Sequence, residues 1–165
     1  MNAIANQNAA AYASRNQLEI GERLGFGIHG IVHVAQHKLN HNLSAIKGHS
    51  SSESYFRERN VYERLREASV IQITGFNVPK LISFDDSLRV IEMTIVKQPF
   101  VLDFAGAYLD TLPEFSEELW TEWERDKREQ FGTRWPAVQQ ILSAFEELGI
   151  HLIDISPSNI AFRDP

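Results

Sequence analysis

The sequence predicts an α+β fold: a five-stranded antiparallel sheet with one helix inserted after the third strand, then helices. Three observations predict it. Short β-prone runs separated by Gly-rich or polar breaks occupy residues 18–47 and return at 79–96. Helical spacing of apolar residues interrupts them once, after Ser51. Past residue 115 the same spacing governs two longer segments, one bounded by Ser116 and Gly132 and the next opening at Pro136.

Residues 1–16 are rich in Asn, Ala and Gln with little apolar periodicity, so a mobile arm or a frayed helix is expected there, ahead of a domain over 17–165. Leu18 to Leu24, Ile31 to Gln36 and Leu43 to Lys47 read as three antiparallel strands. Ser51 or Ser52 can cap the following helix, whose Tyr55, Tyr62 and Leu65 make one apolar face as far as Ala68. Pro79 to Phe84 and Leu88 to Val96 supply the last two strands, joined by Asp85-Asp86-Ser87, whose short polar side chains favour a tight turn. Lys97-Gln98-Pro99 is a candidate hinge. Ser116 is a candidate N-cap; Glu117 and Glu118 suit the positive end of that helix, Lys127 and Arg128 its negative end, and Gly132 its stop. Trp120 and Trp123 on this helix, with Trp135, are assigned to core or interface packing. After Pro136, Val138, Ile141, Leu142, Phe145 and Leu148 form a core-facing stripe that ends before Gly149.

Composition narrows the function. With 43% hydrophobic and 23% charged residues the chain has the make-up of an ordinary globular protein. A net charge of −6 argues against nucleic-acid binding, which needs a surplus of Lys and Arg on one face, and suits a cytoplasmic protein. The absence of cysteine removes disulfide frameworks, thiolate metal sites and cysteine nucleophiles. Neither a run of about 18 apolar residues nor a basic patch followed by an apolar stretch occurs, so no membrane span and no signal peptide are expected.

Chemistry concentrates in three places. Gly25, Gly27 and Gly30 punctuate the turn between the first two strands, where missing Cβ atoms let main-chain N–H groups approach phosphate oxygens. By itself this is also a Gly-rich hairpin. A dinucleotide fingerprint is less apt, because Ile31-Val32-His33-Val34 reads as strand where that motif opens a helix. Lys47 ends an apolar strand and needs a partner or an outlet to water. Glu58, in helical register with Tyr62 and Leu65, offers that partner; Glu63 competes, but its face continues through Glu67 and Val70 and is less apolar. Third, Asp154-Ile155-Ser156-Pro157-Ser158-Asn159 follows the last helix; its carboxylate and amide oxygens suit a hard cation, although the composition is also that of a turn. His29, His33, His37 and His41 recur every fourth position, but along strands that spacing spans about 13 Å, too far for two imidazoles to share one zinc.

Taken in this order, the segments resemble the protein-kinase superfamily over about Leu18 to Arg163. Gly25, Gly27, Gly30 and Val32 match its glycine-rich loop, Ser44-Ala45-Ile46-Lys47 its Val-Ala-Ile-Lys strand, Glu58 the helix carboxylate paired with that lysine, and Asp154 and Asn159 its catalytic loop. The resemblance implies a protein-kinase-like fold, with an N-lobe over 17–96, a hinge within Glu92 to Gln98 and a partial helical C-lobe over 97–165. It implies ATP held by the glycines, Val32, Ala45 and Lys47, Asp154 as base toward a Ser/Thr-type hydroxyl, and Asn159 as a Mg ligand.

The chain also departs from that pattern. Leu152-Ile153-Asp154 stands where His-Arg-Asp is usual, with His151 displaced by one, and Ser156 where a lysine often follows. Six residues follow Asn159, and the Asp-Phe-Gly segment belongs beyond that point. Asp103-Phe104-Ala105-Gly106 is set aside as its substitute, because it carries an extra alanine and precedes the catalytic loop; Asp164 is read as a solvated terminal carboxylate. An incomplete Mg site and weak or absent kinase activity are therefore expected. The rival expectation is a non-catalytic scaffold that docks a protein partner or a second copy on the incomplete helical side. A small-molecule phosphotransferase of similar fold is a third.

Overall fold

A computed structural model describes residues 2–164. The expected limits at Met1 and Pro165 lie outside the described residues. Five strands, β1 (Leu18–Gly27), β2 (Gly30–His37), β3 (Leu43–His49), β6 (Leu81–Asp85) and β7 (Val90–Met93), form an antiparallel sheet in the order β1-β2-β3-β7-β6. Helix α2 (Ser52–Glu67) follows β3, as the apolar spacing predicts, and Ser51 caps it by accepting the Ser54 N–H at 3.2 Å. The last two strands are shorter than the β-prone runs suggest. Beyond Met93 only Thr94 still pairs, with Lys80 (2.9 Å), and Pro79 has no N–H to extend the ladder.

One face of the sheet packs on α2 and the helical layer. Tyr55, Tyr62, Leu65, Ile91 and Met93 meet Val138, Ile141 and Phe145 in a single core. The last three belong to α4 (Trp135–Glu146), which follows α3 (Glu117–Phe131) after one turn of 3-10 helix at Gly132–Arg134. Ser116 caps α3 by accepting the Leu119 N–H at 3.2 Å, and Gly132 ends it. Trp135 is buried in the core, while Trp123 and Trp120 step outward from it in edge-on contacts.

The other face of the sheet is covered by α1 (Asn2–Arg15), in place of the mobile arm or frayed helix expected from composition. Ala5, Ala9, Tyr12 and Ala13 recur at helical spacing and bury against Ala35, Ile46 and Val90. Alanine carries so little hydropathy that the stripe is faint in the sequence, yet its small size lets the helix lie close to the sheet. Gly48 makes the approach possible: a Cβ there would overlap the Ala5 carbonyl oxygen. Tyr12 then donates its hydroxyl to Glu92 Oε2 (2.8 Å), and Ser44 donates to Oε1 of the same buried carboxylate (2.7 Å). Glu92, expected near a hinge, instead lies within β7 and anchors α1.

Six very short strands complete the fold: β4 (Gln72–Ile73), β5 (Phe76–Asn77), β8 (Phe100–Val101), β9 (Tyr108–Leu109), β10 (Ile150–His151) and β11 (Ile160–Ala161). They form a four-stranded sheet, β11-β8-β5-β4, and a β10-β9 pair. Two-residue strands leave no alternating pattern to read. Their effect is nonetheless decisive: β8 pairs with β11 and β9 with β10, so the turn over residues 102–107 faces the turn over 152–159. Among the described residues, no helix is long and apolar enough to cross a membrane.

Because Gly48 is hemmed in by α1, Gly48→Ala is expected to lower stability by about 1–3 kcal/mol, the usual cost of overpacking. Urea denaturation checks it; an unchanged midpoint would show that α1 is not held at this distance.

Candidate functional site

Lys47 and His49 are two apart on β3 and therefore share a face, the one toward α2. Glu58 points from α2 into the same space. Its carboxylate is a hub: Oε2 lies 2.7 Å from Lys47 Nζ and 2.6 Å from His49 Nε2, while Oε1 accepts the Phe104 N–H at 3.2 Å. The second ring nitrogen of His49 lies 3.2 Å from the Arg89 carbonyl oxygen. Glu63, the competing carboxylate, instead pairs with Arg59 on the outer side of α2. Lys47 makes a second ion pair, with Asp103 Oδ1 at 2.8 Å.

Burial opposes ionisation of Glu58, but the Lys47 ammonium, with His49, outweighs it and pulls the carboxyl down to about 2. Burial likewise opposes the charge on Lys47, and Glu58 and Asp103 together reverse the balance and hold the ammonium above its ordinary range. Each ion is tolerated inside the protein because the other is there.

Asp103 sits at φ 69°, in the left-handed region, at the start of the turn between β8 and β9. The next residue locks it: Phe104 is fully buried against Tyr62 and Phe145, with ring centroids 5.2 and 5.7 Å away. Opposite stands the turn between β10 and β11. Asn159 organises it, accepting the Ser156 N–H through Oδ1 (2.7 Å) and donating through Nδ2 to the Asp154 carbonyl (3.0 Å). Gly106 keeps the turns in contact, since a Cβ there would lie 2.7 Å from Asp154 Cβ. Asp103, Gly106, Asp154 and Asn159 line one hollow of about 10 Å³, roughly the room of one water.

The glycine-rich turn closes over this region. His29, at its tip, brings Nε2 to 3.4 Å from Asp154 Oδ2, and Ser50 ties the turn back to the end of β3 by donating to the Ile28 carbonyl (2.9 Å). Gly25 and Gly27 on β1 have open space where a Cβ would project, whereas Gly30 abuts Gly48. Val32 lies directly opposite Lys47 in the β2–β3 ladder, and Ala45 is two residues before it, so both share its face, with Met93 beside Ala45.

The sequence-derived residues thus gather around one cleft: Lys47 and Glu58 in contact, Val32 and Ala45 on the sheet face beside them, Asp154 and Asn159 across it. Two members went unrecognised in the sequence. Asp103, in a segment that carries an extra alanine and precedes the Asp154–Asn159 turn, is brought beside Lys47 in a turn flanked by the β8–β11 and β9–β10 ladders, which are too short to read from the sequence. His49 carried a faint signal, a second ionisable residue two positions after Lys47 on the buried face of a strand. The other histidines of the every-fourth row are dispersed, His33 meeting Asn6 (2.9 Å) and His37 accepting the Leu39 N–H.

No protein-family model, curated protein or solved structure matches the chain.

The depressed Glu58 carboxyl makes stability depend on pH. A carboxyl whose folded value lies below its unfolded one stabilises the protein above the unfolded value and loses that contribution as pH falls toward the folded one. The window here lies below the ordinary carboxylate value of about 4.5, and the contribution is lost as pH falls through it. Unfolding free energy followed by denaturant titration is expected to fall across this window, with a shallower slope in Glu58→Gln. Parallel slopes would contradict the pairing.

Proposed function

We propose that the cleft binds a nucleoside triphosphate together with a divalent cation, ATP with Mg, and that the chain is a protein-kinase-like phosphotransferase. One observation carries this reading: Asp103 joins the buried Lys47–Glu58 pair to the turn bearing Asp154 and Asn159. An ammonium held between Glu58 and Asp103, beneath a glycine turn whose main-chain N–H groups lack Cβ shielding, suits phosphate oxygens once that turn lifts. In this reading Asp103 would provide the acidic oxygen that the family draws from its Asp-Phe-Gly segment.

The residues present fit magnesium. Among the described residues no cluster of three or more His, Asp or Glu could hold a metal alone, but magnesium usually takes one or two protein oxygens and completes its shell with phosphates and water. Asp103 and the Asn159 amide oxygen are such a pair across the hollow. When bound, the cation neutralises charge on the phosphates. Lys47 would orient the phosphates, Val32 and Ala45 would offer apolar surface to the base, and Asp154, exposed at the mouth, would accept a proton from an acceptor hydroxyl. The hollow is too small for a nucleotide, so binding requires the glycine turn to lift. Its tie to Asp154 is a single 3.4 Å contact, which costs little to break, while Ser50 keeps the base of the turn attached to the end of β3. The acidic balance of the chain suits a cytoplasmic setting for this chemistry.

The second reading, a scaffold that keeps the cleft without chemistry and docks a protein partner or a second copy, is favoured by exposed Leu112, Phe115 and Leu119 around the start of α3.

Thermal unfolding with ATP and Mg separates the two. A ligand at 100 times its Kd stabilises the folded state by about 2.7 kcal/mol, so a rise of several degrees in Tm is expected, smaller with ATP alone. Gly27→Ala meets no atom within 4 Å and should keep the unliganded Tm while weakening the shift. Asp103→Asn should abolish the Mg-dependent part. No shift with ATP and Mg would leave the scaffold.

A further inference from the structure

Three consecutive carbonyl groups, those of Ile153, Asp154 and Ile155, are each held by a side chain, the outer two from α3 and the middle one from within the turn. Trp123 Nε1 donates to the Ile153 oxygen at 2.9 Å, Asn159 Nδ2 to the Asp154 oxygen at 3.0 Å, and Lys127 Nζ to the Ile155 oxygen at 2.6 Å. We infer that Trp123 and Lys127 of α3 are positioning residues for Asp154, clamping the backbone on either side of it so that its carboxylate faces the cleft. This inference rests on the proposed role of Asp154.

The clamp answers a physical need. Residues 152–159 run in a turn whose own donors reach the Ile153, Asp154 and Ser156 oxygens, the Ile155 N–H meeting the first at 3.1 Å, while the Ile155 oxygen is met from α3; carbonyls withdrawn from water need partners. Trp123 and Lys127 are four apart and so lie on one face of α3, which aims both donors at the same turn. Lys127 stands apart from the other cations of its helix. Arg125 and Arg128 remain at the surface, paired with Glu122, Asp126 and Glu124, whereas Lys127 turns inward and spends its ammonium on a backbone oxygen. A charge-assisted bond of that length is among the strong ones. The carboxylate of Asp154 itself stays exposed, with only a 3.4 Å contact to His29, so its direction depends mainly on its backbone, and α3 fixes that backbone on both sides of it.

Docking of α3 alone would explain one such bond; a matched pair flanking the residue that bears the carboxylate is what the positioning role adds. The test is native-state hydrogen exchange on the full chain without nucleotide, read at the amides of Ser156, Asn159 and Ile160, which are hydrogen-bonded within the turn. Trp123→Phe keeps the ring and removes the N–H; Lys127→Met keeps the stem and removes the ammonium. Each is expected to speed exchange at these amides about 10-fold while amides of β3 and α2 are unchanged, and Lys127→Arg is expected to restore slow exchange. With ATP, kcat is expected to fall about 10-fold in the first two variants with KM for ATP unchanged. Unchanged exchange in the turn, equal acceleration in β3 and α2, or no rescue by arginine would overturn the clamp. If ATP fails to bind, the nucleotide reading falls, and with it the role of the clamp in catalysis; the exchange data still decide whether the turn is held from α3.

Discussion

Two opposite charges buried together constrain the rest of this molecule. Moving Lys47 or Glu58 out of water alone would cost several kcal/mol, and only their mutual contact, completed by His49 and the Phe104 N–H, makes the position tolerable. That requirement dictates where three elements stand. β3 must present two polar residues toward α2, α2 must rotate Glu58 inward with Tyr62 and Leu65, and the turn after β8 must deliver an N–H to the free carboxylate oxygen. Stability and site geometry are therefore one property here.

A second linkage runs from the far end of α2. Arg64 pairs with Asp110 at 2.6 Å and also donates to the Leu148 carbonyl, while the Asp110 N–H donates to Gly149 at 2.7 Å. The helix that carries Glu58 is thereby fastened to the beginning of β10, and so to the turn bearing Asp154. Rotation of α2 would disturb both ends of the cleft at once. The ion pair is half exposed and worth little in isolation, but the backbone bonds beside it give the contact a fixed geometry.

Much of this was legible in the sequence. The five strands, the caps at Ser51 and Ser116, the stop at Gly132 and the choice of Glu58 over Glu63 followed from local chemistry: turn formers, oxygen acceptors at helix starts, and the angle at which a helical carboxylate leaves an apolar face. What escaped was non-local. The β8–β11 and β9–β10 ladders have two residues a side, too short to mark the sequence, and only they bring Asp103 to Lys47. The docking of α1 escaped because alanine buries little area per residue; its fit depends on Gly48, some forty positions away.

Three carboxylates around the cleft occupy graded environments, and the gradient assigns their work. Glu58, with 1% of its side chain exposed, already has every oxygen engaged and can neither meet a ligand nor exchange protons readily. Its task is to hold Lys47. Asp103, at 38%, touches Lys47 with one oxygen and lines the hollow, so in the proposed reading it is the carboxylate that would meet a cation. Asp154, at 61%, is open to solvent, which in the proposed reading would let an acceptor reach it. Identical functional groups acquire different proposed roles from depth alone. The same reasoning explains why the backbone clamp falls on Asp154 and not on the other two. Glu58 is aimed by its partners and Asp103 by the buried ring of Phe104, but the exposed Asp154 carboxylate has only the long 3.4 Å contact with His29 at its own oxygens, so its orientation is imposed chiefly through the main chain.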